Sequence, residues 1–411
     1  MFINAKSTDK VLRNNILELA SKAKKAKNED PNVINATIGM LFDEKGKLYQ
    51  FESVKKVEDV LSTEDKYSYS NTRGSEDYQK AIKEWTFGPY YGEVMSHNFL
   101  NVLPTPGGTG ALSLIFANYV DKGETVLMPN YMWENYLTFG REEGFNIDCY
   151  SLFKGNSFDF ESIKLKVDYL KQKQQRIVIL LNDPCENPTG FCMKDEDYDA
   201  LIQMANNSLT TQFIFIMDMA YFDFYNVDGK VIRKRFAKLA NLGENSMVFF
   251  CFSGSKSFGL YGLRVGALLQ MTKSESEAAM FLDAGVYTSR GRWSSTSTMG
   301  EKMITELILN PDHNDAFHQE VASVSKMLEE RSKAFLEGAK EEHLEILPYQ
   351  KGFFLCVPTK DATRLVEALH KDKVYVIPLK NAIRIAICAI NKKEASILPK
   401  IIKGRMMLED L

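Results

Sequence analysis

The chain has 411 residues, 45% apolar and 26% charged, with 51 basic and 54 acidic side chains and a formal net charge of −3. That length suits two domains, and that composition excludes disorder as the default. A near-neutral balance gives no reason to expect attraction to nucleic acid or to an anionic membrane.

At the amino terminus, residues 1–10 lack the apolar core of a secretory signal, and no apolar run approaches bilayer length, so a cytoplasmic location is expected. The Lys-rich residues 21–28 read as one solvated helix face. Short apolar runs at 125–128, 176–181, 213–217, 247–252 and 265–269 then alternate with helix-like stretches. This alternation predicts an α/β fold, a mostly parallel sheet with helices on both faces. Ligands of open α/β sheets bind beyond the carboxyl ends of the strands. Trp133, Asn187, Asp218 and Lys256 each follow or end such a run, so four segments are expected to converge on one crevice. Past residue 300 come amphipathic stretches at 301–309 and 318–340 and strand candidates at 352–357 and 382–387, which predict a second, smaller α+β domain.

Within this frame several segments carry chemistry. Pro104-Thr-Pro-Gly107-Gly108-Thr109-Gly110 is a glycine turn entering a helix pattern, a potential anion site at a helix start. It lacks the lysine that a nucleotide P-loop requires. Around Trp133, the run Met128-Pro129-Asn-Tyr131-Met-Trp133-Glu-Asn135-Tyr136 offers an aromatic face for a flat heteroaromatic ring, from either Tyr131 or Trp133. Asn187-Pro188-Thr189-Gly190 is a turn that holds the Asn187 amide in one orientation, or a plain Asn-Pro turn. Asp218 closes a fully apolar strand, where an unpartnered carboxylate is costly; the alternative is a helix cap. Lys256 lies in Ser253-Gly-Ser255-Lys256-Ser-Phe-Gly-Leu-Tyr-Gly-Leu-Arg264-Val-Gly266, where two hydroxyls and a guanidinium suit phosphate oxygens and Gly254, Gly259 and Gly262 permit close approach. Arg384, inside the apolar run 383–387, suits a carboxylate bound at two points, or is an exposed edge-strand arginine. Six cysteines without a CxxC pair read as reduced core thiols. All five histidines lie outside the glycine-rich segments, so no metal site and no Ser-His-Asp hydrolase is expected.

Ser-x-Ser-Lys-x-Phe-Gly-Leu-Tyr-x-x-Arg-Val-Gly resembles the cofactor-lysine segment of the class I aminotransferases, closest to their aspartate and aromatic branch, and the other motifs follow in family order from about residue 35 to 387. The resemblance implies fold type I, with a three-layer large domain over residues 47–300 and a small domain made of 1–46 and 301–411. It implies pyridoxal phosphate bound as a Schiff base at Lys256, with Asp218 on the pyridine nitrogen and Asn187 and Tyr221 on the phenolic oxygen. Gly107, Gly108, Thr109, Ser253, Ser255 and Arg264 would hold the phosphate, with Tyr69 crossing a homodimer interface to reach it. The family pattern Pro-x-Trp-x-Asn-His differs here: two extra residues precede Trp133, and Tyr136 stands where histidine is common, which leaves the support of Asp218 open. Gly39 and Arg384 would meet the substrate carboxylate. Arg290, selected over Arg292 by the spacing to Gly300, would enter the neighbouring site and favour dicarboxylates. The implied reaction is ping-pong transfer between aspartate or an aromatic amino acid and 2-oxoglutarate. A carbon-sulfur β-lyase and a non-catalytic pyridoxal-binding regulator are the alternatives.

Overall fold

The computed structural model describes residues 2–3, 7–8, 10–11, 16–225 and 229–411; the amino-terminal stretch read for a signal lies partly outside them. Two compact units form: residues 48–329 with 348–354, and residues 1–47, 330–347 and 355–411. Among the described residues no helix is long and apolar enough to cross a membrane.

The larger unit is built on seven strands: β1 (Phe99–Thr105), β2 (Thr125–Pro129), β3 (Asn146–Tyr150), β4 (Arg176–Leu181), β5 (Gln212–Asp218), β6 (Ser246–Ser253) and β7 (Gly266–Thr272). Their order is β1-β7-β6-β5-β4-β2-β3. β7 runs antiparallel to both of its neighbours, and the remaining pairs are parallel. In β4 and β5 successive residues are buried whichever way they point, as at Ile177 to Leu181 and Phe213 to Asp218. Side chains alternate across a strand, so burial at both parities means that helices cover both faces. The mostly parallel sheet expected from the sequence is therefore present, with β1 and β3 as further strands.

Residues 301–329, expected in the small domain, belong to this larger unit, because the helix Thr298–Leu309 packs on the helix Glu76–Phe87. Residues 348–354 join it through Gln350, whose Oε1 accepts from Cys192 N at 2.7 Å and whose N donates to Gly190 O at 3.0 Å.

The smaller unit carries the three-stranded sheet Phe354–Pro358, Ala382–Ala386 and Ile377–Pro378, with Ala382–Ala386 in the centre. Its amino-terminal arm returns to the carboxy-terminal segment: Ile34–Asn35 pairs in parallel with Val374–Tyr375. Arg331, fully buried, clamps the arm by donating to Glu44 Oε1 at 2.7 Å, Phe42 O at 2.8 Å and Cys388 O at 3.2 Å. Lys22, Lys24 and Lys25 of the Lys-rich helix are exposed, whereas Lys27 binds Val33 O and Glu394. Five of the six free cysteines are buried; Cys149 is exposed and so is not a core thiol.

Candidate active site

Strand register brings the predicted segments together. Gly266 opens β7 opposite both Ser253, the last residue of β6, and Thr105, the last residue of β1. The helix Gly107–Tyr119 begins just past Thr105, and the short helix Gly254–Ser257 begins just past Ser253. A Cβ at Gly266 would stand 2.6 Å from Phe252 O and 2.7 Å from the Gly107 backbone, so only glycine lets these backbones approach. Sequence reasoning gave Gly266 no such role. One strand across, Asp218 ends β5 opposite Cys251, two residues before Ser253.

Around the Lys256 turn the polar groups form a cup. Ser253 Oγ accepts from Ser255 N, and Arg264 donates from Nη1 to Ser255 Oγ at 3.2 Å and from Nη2 to Pro106 O at 3.4 Å. A Cβ on Gly107, where φ is +73°, would lie 2.9 Å from Arg264 Nη2, and one on Gly108 would lie 3.5 Å from Ser253 Cβ. Thr109 is half-buried in the first turn of the same helix. A guanidinium, two hydroxyls and a helix start beside Gly107, whose φ and close approach to Arg264 favour glycine, fit a phosphate dianion. The glycines around Lys256 do not all serve close approach: a Cβ at Gly254 would meet Val265 at 2.8 Å, but one at Gly262 would meet nothing within 4 Å.

Lys256 Nζ lies 5.0 Å from the ring centroid of Tyr261 and 5.9 Å from that of Tyr221. The Tyr221 hydroxyl accepts from Asn187 Nδ2 at 3.4 Å, and its ring packs on Phe353 and Phe354. Asn182, which sequence reasoning passed over, joins two of the predicted residues. Its Oδ1 accepts from Asn187 N at 2.8 Å and its Nδ2 donates to Asp218 O at 2.7 Å. The only sequence signal for it is its place directly after a strand.

Asp218 is buried, and burial pushes its carboxyl up from the ordinary carboxylate range. Two donors hold it down: the Tyr136 hydroxyl at 2.6 Å on Oδ2 and Ala220 N at 3.3 Å on Oδ1. The support left open by the absence of histidine is thus supplied by a phenol. Trp133 packs edge-on against Tyr136 with ring centroids 5.5 Å apart, while Tyr131 is stacked on Phe153.

Tyr69 and Arg290 are both exposed; Arg290 donates to Ser294 Oγ at 2.8 Å. Arg292 is instead bound to Ser113 and to Glu143. In the smaller unit Arg384 is buried on the central strand, which rules out an exposed edge position, and its Nη2 donates to Thr37 O at 2.7 Å. Thr37 Oγ1 donates to Asn35 Oδ1 at 2.6 Å, and Gly39 follows two residues on, half-buried.

A sequence profile of the family described as "Aminotransferase class I and II" matches residues 31–402. Aspartate aminotransferase of Pseudomonas aeruginosa is 25% identical over 381 residues, 90% of this chain and 92% of that protein. The crystal structure of an aminotransferase from Anaerococcus prevotii superimposes with a TM-score of 0.94 at 30% identity, covering 98% of this chain and 99% of that one. An aromatic-amino-acid aminotransferase from Burkholderia pseudomallei, solved covalently bound to pyridoxal phosphate, superimposes with a TM-score of 0.80 at 22% identity over 98% of this chain and 100% of that one.

Proposed function

We propose that this chain, which belongs to the class I and II aminotransferases, uses pyridoxal phosphate to move an amino group between aspartate or an aromatic amino acid and 2-oxoglutarate in two half-reactions. The observation that carries the reading is one lysine amine set over two tyrosine rings, with an anion cup in its own turn and a buried carboxylate ending the adjacent strand.

When bound, the cofactor supplies an electron sink for the pair released at the amino acid α-carbon. Lys256 Nζ would hold it covalently at rest; once freed by the incoming amine, Nζ would take the α-proton as general base and deliver it as general acid to the cofactor side, not back to the α-carbon. Asp218 would keep the ring nitrogen protonated, and Asn187 and Tyr221 would donate to the phenolic oxygen. Gly107, Gly108, Thr109, Ser253, Ser255 and Arg264 would hold the phosphate, and Trp133 would offer its face to the ring. The planar fork of Arg384 takes the substrate α-carboxylate, with Gly39 beside it. In a homodimer with shared sites, Tyr69 of the partner subunit reaches the phosphate and Arg290 of the partner subunit pairs with a distal carboxylate.

The test is a single half-reaction. Aspartate added alone should yield about one oxaloacetate per site and then stop until 2-oxoglutarate is supplied, as the ping-pong scheme requires. Borohydride reduction followed by peptide mapping should place the cofactor on Lys256. Steady pyruvate release from cysteine without any oxo acid would replace this reading with a carbon-sulfur lyase, and an unmodified Lys256 would remove the cofactor assignment.

A further inference from the structure

We propose that Glu301 is a positioning residue that pins the Tyr69 segment to the Arg290 segment, so that the grip on the cofactor phosphate and the preference for dicarboxylate substrates are set together. The inference rests on the roles proposed above for Tyr69 and Arg290 and deepens them.

Tyr69 and Arg290 come from distant parts of the chain and both are exposed, Tyr69 at 94%. Their segments nevertheless meet. Ser70 Oγ accepts from Thr296 N at 3.2 Å and lies 3.2 Å from Thr296 Oγ1, and Thr298 Oγ1 donates to Ser68 O at 2.6 Å. Two residues before Thr296, Ser294 Oγ accepts from Arg290 Nη1 at 2.8 Å, with Ser294 held at a φ of +69° that a side chain disfavours. A continuous path therefore runs from one exposed head to the other through Ser294, Thr296 and Ser70.

Glu301 closes this join from beneath. It is buried in the first turn of the helix Thr298–Leu309, and its carboxyl accepts from the Thr296 hydroxyl on Oε1 and from the Ser70 hydroxyl. The helix start is itself seated on the frame of the anion cup: a Cβ at Gly300 would stand 2.7 Å from Val265 Cβ, and Val265 lies between Arg264 and Gly266. The pin is thus referenced to the backbone that shapes the cup.

The energetic consequence concerns order. Exposed side chains on unrestrained segments must be immobilised when they bind, and each one costs affinity. A shared buried anchor lowers that cost for both segments at once, so weakening the anchor must show in both functions.

The experiment compares Glu301→Ala, Thr296→Val and Glu301→Gln in the full chain, at a temperature where each is folded, by two readouts: the dissociation constant of pyridoxal phosphate and the ratio of kcat/KM for aspartate to that for phenylalanine. In Glu301→Ala the cofactor should bind about tenfold more weakly and the ratio should fall about tenfold, the low end for a lost bond to a charged group. Thr296→Val breaks the same join from its other end, should move both readouts in the same direction, and decides the matter where Glu301→Ala does not fold. Glu301→Gln keeps an acceptor for the Thr296 hydroxyl and should hold both readouts within about threefold. A lower melting temperature with both readouts unchanged, or a change in only one of them, overturns the proposal while leaving the roles of Tyr69 and Arg290 intact. Tyr69→Phe and Arg290→Ala are the references: if the first leaves cofactor affinity unaltered and the second leaves the ratio unaltered, those roles fall and the proposal falls with them.

Discussion

Arg292 donates from Nη2 to Glu143 Oε1 at 2.7 Å, whereas the neighbouring Arg290 bonds Ser294 at 2.8 Å from an exposed position and forms no ion pair among the described residues. One arginine is used within the chain and the other is exposed. Arg290→Ala should therefore lower kcat/KM for aspartate and glutamate on the order of 100-fold, the cost of stranding a carboxylate, with less than about a tenfold loss for aromatic substrates. Arg292→Ala should leave that ratio unchanged and cost at most about 1 kcal/mol of stability. Steady-state kinetics on both variants decides, and equal losses on both substrate classes in Arg290→Ala would remove the dicarboxylate assignment.

Trp133 and Tyr131 are separated by the same reasoning. Trp133 touches the Asp218 partner Tyr136, whereas Tyr131 stacks on Phe153 with an interplanar angle of 12°. Trp133→Ala should weaken pyridoxal phosphate binding about 3–10-fold, the range of one aromatic stacking contact. Tyr131→Ala should change it less than about twofold. Fluorescence titration of apoenzyme with cofactor measures both, and the reverse ranking would transfer the stacking role to Tyr131.

Gly107 tests the anion cup. Its φ of +73° and the 2.9 Å approach of a would-be Cβ to Arg264 Nη2 mean that Gly107→Ala must displace the guanidinium or the turn. Affinity for the cofactor should drop at least about tenfold, the loss of one good charge-assisted bond. Gly262→Ala, which meets nothing within 4 Å, is the control and should bind normally. Comparable affinity in the two variants would argue against the cup.

Glu301 gives stability a pH dependence. It ties Thr296 beside the Ser70 segment, and burial pushes its carboxyl from 4.5 up to about 7. The folded chain thus holds a proton that the unfolded chain has released between these values, so this stabilisation is complete below about pH 4.5 and is lost as pH rises through about 7. Glu301→Gln, which cannot ionise, should gain on the unaltered protein as pH rises, by at most about 3 kcal/mol at pH 8 and by little at pH 4.5. Urea unfolding at several pH values reads this, and parallel curves for the two proteins would contradict it.

Much of the candidate site's arrangement was legible because charged and polar residues set into apolar runs, and glycine turns at helix starts, stand out in sequence. A carboxylate closing the apolar run that became β5, a lysine between serines after β6, and a glycine turn ahead of a helix are each costly without a partner, and each marks itself in one dimension. Arg384 within an apolar run is legible for the same reason, and it is buried on a central strand. Asn182, Gly266 and the bond from Tyr136 were not, because their importance lies in what stands next to them. Asn182 differs from any post-strand asparagine only by facing both Asn187 and Asp218. The extent of the larger unit was also hidden: helix Thr298–Leu309 has an amphipathic pattern that any apolar surface would satisfy, and only packing on Glu76–Phe87 assigns it.

The amino-acid sequence by itself determined the alternating architecture, the chemical character of each strand end and the order in which the motifs arrive, since these depend on local periodicity and on residue types that are expensive to bury. Tertiary structure alone decided which arginine of the 290 and 292 pair is left outward, which aromatic ring lies beside the Asp218 partner, and that a phenol can take the place of an imidazole behind that carboxylate. Those choices turn on distances of a few ångströms between residues far apart in the chain, and strand register, not composition, sets such distances.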